Sequence, residues 1–289
     1  MSNRCLELSM ESEKTDSTYE KVIRPTKGRL PIDFKGLWDY HELLFMLILR
    51  EVQGKYRQSK LGFLWAIIPP LLQMFIFTII FGKVAKLGPE NIPYPIFSYA
   101  ALLPWLYFAR ALSGVSTSVV GKSVLITKVY FPRLILPLTG VFAALVDFAM
   151  ASTIMGGLMI WYHVVPGWGM IMLPFFILLA MSTALGVGMW LTALHVKYRD
   201  VGFVTPFLIQ MWLYITPVIY SIDKIPEKYQ IFLWLNPMTG VIEGFRWALL
   251  GQASPNWSMM GLSLGIISIL LVSGAFYFKS MEKTFVDII

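Results

Sequence analysis

The chain has 289 residues, 56% of them hydrophobic and only 14% charged, with a formal net charge of +7. That apolar share is well above, and the charged share well below, those of an ordinary soluble domain, so the composition places the chain in the membrane class. Most lysines and arginines stand before residue 61 or in short gaps between apolar runs, a pattern of membrane topology rather than of nucleic-acid binding, and no nucleic-acid partner is expected.

Residues 1–35 are polar, mixed in charge and aperiodic, which predicts a mobile tail. From Gly36 onward, Leu37, Tyr40, Leu44, Leu47 and Ile48 recur at helical spacing. The unbroken apolar run Leu43–Leu49 is far shorter than the roughly 20 residues needed to cross a bilayer. Residues 36–60 are therefore predicted as an amphipathic interface helix, with Trp38 and Tyr40 suited to the headgroup level. A helix packed on a neighbouring protein surface would show the same pattern.

Six apolar runs follow, at about 61–82, 96–120, 134–162, 170–194, 201–221 and 257–278. The first carries no charge and, at about 1.5 Å per residue, is about 33 Å long. Arg110 interrupts the second, and Asp147 is the single formal charge between Arg133 and Lys197. Between the fifth and sixth, Asn236-Pro237 cuts the uncharged stretch Tyr229–Ile242, so residues 226–250 are predicted as two short re-entrant helices hinged there. The expected fold is an all-α membrane protein: an interface helix (36–60), then a six-span transmembrane domain (61–289) with the two re-entrant helices before its last span.

Basic residues set the orientation. With a cytoplasmic N-terminus, the inside holds the basic N-terminal segment, Lys122/Lys128/Arg133, Lys197/Arg199 and Lys279/Lys283. The outside holds Lys83/Lys86, a turn near His163, and a loop whose Lys224, Lys228 and Arg246 are offset by Asp223, Glu227 and Glu243. Both termini are expected in the cytoplasm.

Two glycine patterns invite nucleotide chemistry and fail on context. Gly121-Lys122-Ser123 lacks the earlier glycine of a phosphate loop, since Ser116 stands in its place. Gly186 and Gly188 lack the third glycine of a dinucleotide fingerprint, since Leu191 stands there. His41, His163 and His195 form no metal-ligand spacing, and neither paired carboxylates nor a nucleophile–base set is visible. No catalytic constellation is visible, and no metal or cofactor of the chain's own is expected.

The remaining candidates are polar or aromatic groups inside spans. Gln73 shares a helix face with Phe77, and Gln210 shares one with Phe203, Phe207 and Tyr214. Each amide either bonds a neighbouring helix or faces an aqueous path. Trp105, Tyr107 and Phe108 lie in the aromatic second span, either stacking on sugar rings or belonging to aromatic belts. Arg110 and Asp147 are expected to form an ion pair between the second and third spans.

Five ordered blocks resemble the membrane subunit of ABC transporters that export bacterial polysaccharides such as O-antigen, capsule or teichoic acid. They are REVQGKYRQSKLGFLWAIIPP (50–70), LLPWLYFARAL (102–112), LITKVYFPRLILPL (125–138), HVKYRDV (195–201), and TPVIYSIDKIPEKY followed by NPMTGVIEGFRWALLG (216–251). The resemblance runs from about Leu37 to the C-terminus and implies a homodimer joined to two copies of a separate ATPase, which would bind ATP and Mg. It implies a multi-pass protein of the bacterial inner membrane, among membrane lipids, with a lipid-linked polysaccharide as substrate. Residues 122–133 would be the coupling loop on the ATPase, through Lys122, Lys128, Phe131, Pro132 and Arg133, with Lys55, Tyr56 and Arg57 also touching that partner. Spans one and five would line the channel. The 226–250 helices would form an outer gate with Ile225, Pro226, Tyr229, Asn236 and Pro237. An exporter of drugs or small lipids is the alternative reading; the aromatic second span and the 50–70 block favour polysaccharide.

Overall fold

A computed structural model describes residues 34–57, 64–89, 91–251 and 255–282, together with Lys60, Gly62 and Phe285. Residues 1–33, nearly all of the expected tail, lie outside the described residues. Among the described residues all regular structure is helical. Helices α1 (Phe34–Asp39) and α2 (His41–Tyr56) fill the predicted interface segment, broken at Tyr40. Leu47, with Leu37, Tyr40, Leu43 and Leu44 around it, packs on the protein. Trp38, Phe45, Met46 and Leu49 remain exposed along the other side. The segment thus has two apolar faces, one turned to the rest of the chain and one unpartnered.

Helix α3 (Leu64–Phe77) runs into a wider π-helical stretch, Thr78–Val84. Two prolines, Pro69 and Pro70, stand inside α3. Proline removes a backbone donor, which spanning helices tolerate when neighbouring groups satisfy the freed carbonyls. Helix α4 (Tyr94–Thr117) occupies the centre of the bundle and packs against most of the long helices. Helix α5 (Ser123–Lys128) is a short surface turn; α6 (Ile135–Trp161) and α7 (Leu173–Lys197) follow. Helix α8 (Val201–Ile215) precedes two short helices, α9 (Glu227–Trp234) and α10 (Pro237–Leu250), and α11 (Trp257–Met281) closes the bundle.

Among the described residues four helices are long and apolar enough to cross a membrane: Leu64–Val84, Ile135–Trp161, Trp168–Lys197 and Trp257–Met281. Helix α4 has the length but is diluted by tyrosine, serine, proline and Arg110. Its neighbours explain why: nearly every face touches protein, so lipid does not dictate its composition. Helix α8 is shorter than its apolar run. Pro217 drives Thr216 into extended backbone, because the proline ring clashes with a helical preceding residue. The expected fifth span, 201–221, is therefore helical only to Ile215.

Close helix crossings hold the bundle together. A Cβ added to Gly140 on α6 would lie 2.8 Å from the Gly114 carbonyl carbon on α4. One added to Gly188 on α7 would lie 2.4 Å from a Val115 methyl carbon on α4. Small residues let backbones approach where lipid gives helices little apolar drive to associate.

Candidate functional sites

Midway along α6, three donors converge on a single buried carboxylate. Asp147 of α6 has its Oδ2 3.0 Å from Arg110 Nη1 of α4. The same oxygen is bonded by Lys55 Nζ, and Oδ1 accepts from the Tyr56 hydroxyl; both donors sit in the last turn of α2. One turn earlier, Glu51 Oε2 accepts from Lys122 Nζ at 2.9 Å. Residues i and i+4 of a helix share a face, so Glu51 and Lys55 offer an anion and then a cation to complementary charges on other elements. A carboxylate buried alone would be costly; three donors satisfy this one. Burial foremost, and then the bond to Asp147, raise the Tyr56 pKa above the usual phenol range, so the hydroxyl stays a donor. A cavity of about 320 Å³ opens beside the cluster.

Of the residues expected to couple to an ATPase, Phe131 is buried against the apolar cluster that includes Leu47, Val119 and Ile126. The extended chain after Lys128 turns this ring inward, so it anchors the loop and is not presented to a partner. Tyr56 is likewise buried, which removes it from the expected contact surface, while Lys55 is engaged with Asp147 yet remains about half exposed. Lys122 is held by Glu51, Pro132 and Arg133 are half-buried, and Arg57 and Lys128 are exposed. Val124, Val129 and Tyr130 add an exposed apolar patch to that loop.

The expected lining residues divide. Trp105, Tyr107 and Phe108 are interior: Tyr107 donates to the Val141 carbonyl, and Phe108 meets Trp212 edge-on at 5.0 Å. Helix α4 is surrounded by other helices, so these rings are core and not a surface for sugars. Phe77 is also buried, while Gln73 is half-buried. Phe203, Phe207, Gln210 and Tyr214 form an exposed stripe along α8, with Phe203 84% exposed.

Beyond the end of α8, Pro217 frees a run of carbonyls that other elements collect. Arg246 of α10 donates through Nη2 to Val218 O (3.1 Å) and through Nη1 to Tyr220 O (3.4 Å) and Glu243 Oε1 (2.8 Å). Its guanidinium lies 3.8 Å from the Phe97 ring centroid. Tyr94 donates to Ile219 O at 2.6 Å, and its ring lies so close to Gly82 and Gly88 that a Cβ on either would come within 2.7 Å of it. The π-helical end of the first span, the start of α4 and the unwound segment after α8 are thus joined through one tyrosine.

Asn236 holds the joint between α9 and α10. Its Oδ1 caps α10 by accepting from Met238 N at 3.1 Å and also accepts from Trp212 Nε1 at 2.9 Å. Its Nδ2 donates to Thr216 Oγ1 at 2.8 Å. Pro237 takes the first helical position, where a missing N–H costs nothing, and Gly251 ends α10 with a left-handed φ of 62°. Asn236 and Pro237 are buried, Ile225 is half-buried, and Pro226 and Tyr229 are exposed. Sequence reasoning missed Arg246, Tyr94, Trp212 and Thr216. The available signal was Pro217, which implies unpaired carbonyls and hence donors to meet them.

Among the described residues no group of three or more histidine, cysteine or carboxylate side chains is placed to hold a metal. Buried polar networks tie together an all-helical bundle with several membrane-length helices, which defines a multi-pass membrane protein. Residues 42–250 match the family described as ABC-2 type transporter, and the chain belongs to that family. It is 29% identical over 256 residues to the O-antigen export system permease protein RfbA of Myxococcus xanthus, covering 88% of this chain and 97% of that protein. It is 24% identical to the polysialic acid transport protein KpsM of Escherichia coli, over 82% of this chain and 91% of that protein. To the capsule polysaccharide export inner-membrane protein BexB of Haemophilus influenzae it is 25% identical, over 82% and 90%.

Proposed function

We propose that this chain is the membrane-spanning permease subunit of an ATP-driven exporter that moves a lipid-linked polysaccharide of O-antigen type from the cytoplasm across the inner membrane. The observation that carries the reading is the match along almost the whole length of an O-antigen export permease. The chain crosses the membrane six times, with α4 and α8 joining the four long apolar helices as spans and both termini in the cytoplasm. Helices α9 and α10 are the re-entrant gate on the outer side. Two copies pair so that α3 and α8 face a shared path, with the exposed aromatic and amide stripe of α8 as its lining. Aromatic faces grip sugar rings with little demand on sequence, which suits a sliding polymer.

ATP hydrolysis takes place in a separate partner present in two copies. That partner docks on the 122–133 loop through the exposed Val124, Lys128, Val129 and Tyr130, with Arg57 at the edge. Binding of ATP would draw the two loops together and shift the gate, a rigid-body transmission through packed elements. The test is deletion of the gene in its source bacterium, followed by immunogold localisation of surface polysaccharide. Polymer retained in the cytoplasm, and restored to the surface by the wild-type gene, is the expected result; polymer at the surface of the deletion strain overturns the reading.

A further inference from the structure

The last turn of α7 carries a buried histidine, His195, whose two ring nitrogens face different helices. Its Nδ1 lies 3.0 Å from the Ser116 carbonyl oxygen in the last turn of α4. A carbonyl only accepts, so Nδ1 carries the proton and donates. Its Nε2 faces α8: a Cβ built on Gly202, in the first turn of that helix, would lie 2.8 Å from it. Glycine at this position lets the backbone of α8 rest directly on the edge of the imidazole. Three residues before His195, on the same face of α7, Thr192 donates to the Val115 carbonyl at 2.6 Å. Helix α7 thus grips two successive carbonyls where α4 ends. Beyond Thr117 the chain passes directly into the loop that holds α5. That loop also packs on α7, since Ile126 and Phe131 share one apolar cluster with Ala193 and Val196. The end of α4, the loop and the end of α7 form one packed unit, and through the His195 ring this unit bears on α8.

We propose that His195 is a positioning residue for transport, carrying displacement of the 122–133 loop to the start of α8. The imidazole is short and rigid, bonded at one edge and backed by main chain at the other, so it acts as a strut. Coupling between distant sites travels through such chains of packed side chains and rigid elements. The exposed aromatic stripe of α8 begins at Phe203, the residue after Gly202. A histidine that merely satisfied the Ser116 carbonyl would need no contact with Gly202. This inference rests on reading the loop as the partner's docking point and α8 as the lining, and it adds the residue that links them.

The test treats the two edges of the ring separately. His195→Asn keeps an amide N–H where Nδ1 donates and removes the edge that meets Gly202, while Gly202→Ala adds a clash. Together they restore contact: the asparagine oxygen takes the place of Cδ2, 3.8 Å from the added Cβ, an ordinary contact distance. Hydrogen exchange is measured on the purified full-length chain in detergent. Polymer at the cell surface is measured, at matched protein levels, in a deletion strain carrying each gene. Each single variant should raise exchange over residues 201–207 about tenfold, and the double variant about twofold or less. Exchange over residues 113–117 should be unchanged in His195→Asn. Export should fall at least about threefold in each single variant and return to at least about half the wild-type level in the double. Losses that add in the double variant would make His195 a structural bolt and overturn the proposal. Normal export by both single variants would overturn it too. If the wild-type gene itself fails to restore export, the exporter reading falls, and exchange alone then decides the strut: rescue in the double variant upholds it and additive loss overturns it.

Discussion

Gly274 crosses Gly186 so closely that a Cβ added to Gly274 would lie 2.3 Å from the Gly186 carbonyl oxygen. Backbone, and not a flexible side chain, is the obstacle, so nothing nearby can swing aside. Gly274→Ala should therefore separate α11 from α7 and cost about 1–3 kcal/mol, the usual range for overpacking. Gly265→Ala on the same helix meets open space and should cost nothing, since alanine also has the better helix propensity. Thermal unfolding in detergent separates the two; equal melting temperatures would show that the crossing is looser than described.

The Asp147 cluster makes a different demand. Asp147→Asn leaves Arg110 and Lys55 facing each other with no anion between them. Removing one partner of a fully buried pair costs about 3–5 kcal/mol. Here the Arg110 and Lys55 side chains are 27% and 47% exposed, so water recovers part of that, and about 1–3 kcal/mol is expected. A double-mutant cycle of Asp147→Asn with Arg110→Gln should give a coupling energy of at least about 1 kcal/mol. Additive effects would deny that the two groups act as a pair.

How much of this was legible in the sequence depends on the physics each residue obeys. A helix lies in each of the six apolar runs, because apolar periodicity and length report directly on helical segments. The approach of Arg110 to Asp147 could be anticipated, because isolated charges in apolar helices must find partners. That Lys55 and Tyr56 also reach Asp147 could not, since it depends on how α2 docks, a tertiary fact with no local pattern. The aromatic rings of α4 misled for a related reason: composition says that a helix is rich in tryptophan and tyrosine, not whether other helices surround it. Phe131 was expected at the partner only because the resemblance implied it, yet the chain path before Pro132 puts its ring in the core. Arg246 was hidden by its apparent balance against Glu243, while its greater role is to serve carbonyls released by Pro217.

That role predicts how Arg246 fails. Lysine offers one compact ammonium and cannot reach Val218 O, Tyr220 O and Glu243 while stacking on Phe97. Arg246→Lys should thus loosen residues 216–222 nearly as much as Arg246→Ala. Hydrogen exchange of those amides is the measurement, with an increase of about tenfold or more expected in both variants. The pair Glu243→Gln with Arg246→Met should recover part of the fold's stability, because apolar groups can replace a buried ion pair. Full protection in the lysine variant would show that the carbonyl contacts are incidental.

Asn236 uses its acceptor and its donor for separate purposes, and substitutions can part them. The oxygen caps α10 and receives the Trp212 indole; the amide nitrogen holds Thr216 at the end of α8. Asn236→Asp keeps an acceptor for the cap and the indole and loses the donated bond unless Thr216 turns its hydroxyl. Asn236→Ala loses everything, the cap alone being worth about 0.5–2 kcal/mol. If the joint governs the swing of α9 relative to α8, alanine should raise hydrogen exchange across both 227–234 and the first turn of α10. Aspartate should raise it across 227–234 alone. In cells, the alanine variant should export polymer more slowly at normal protein levels. Identical exchange patterns for the two variants would mean that the cap and the link to Thr216 are one unit, and the side chain a simple structural bolt.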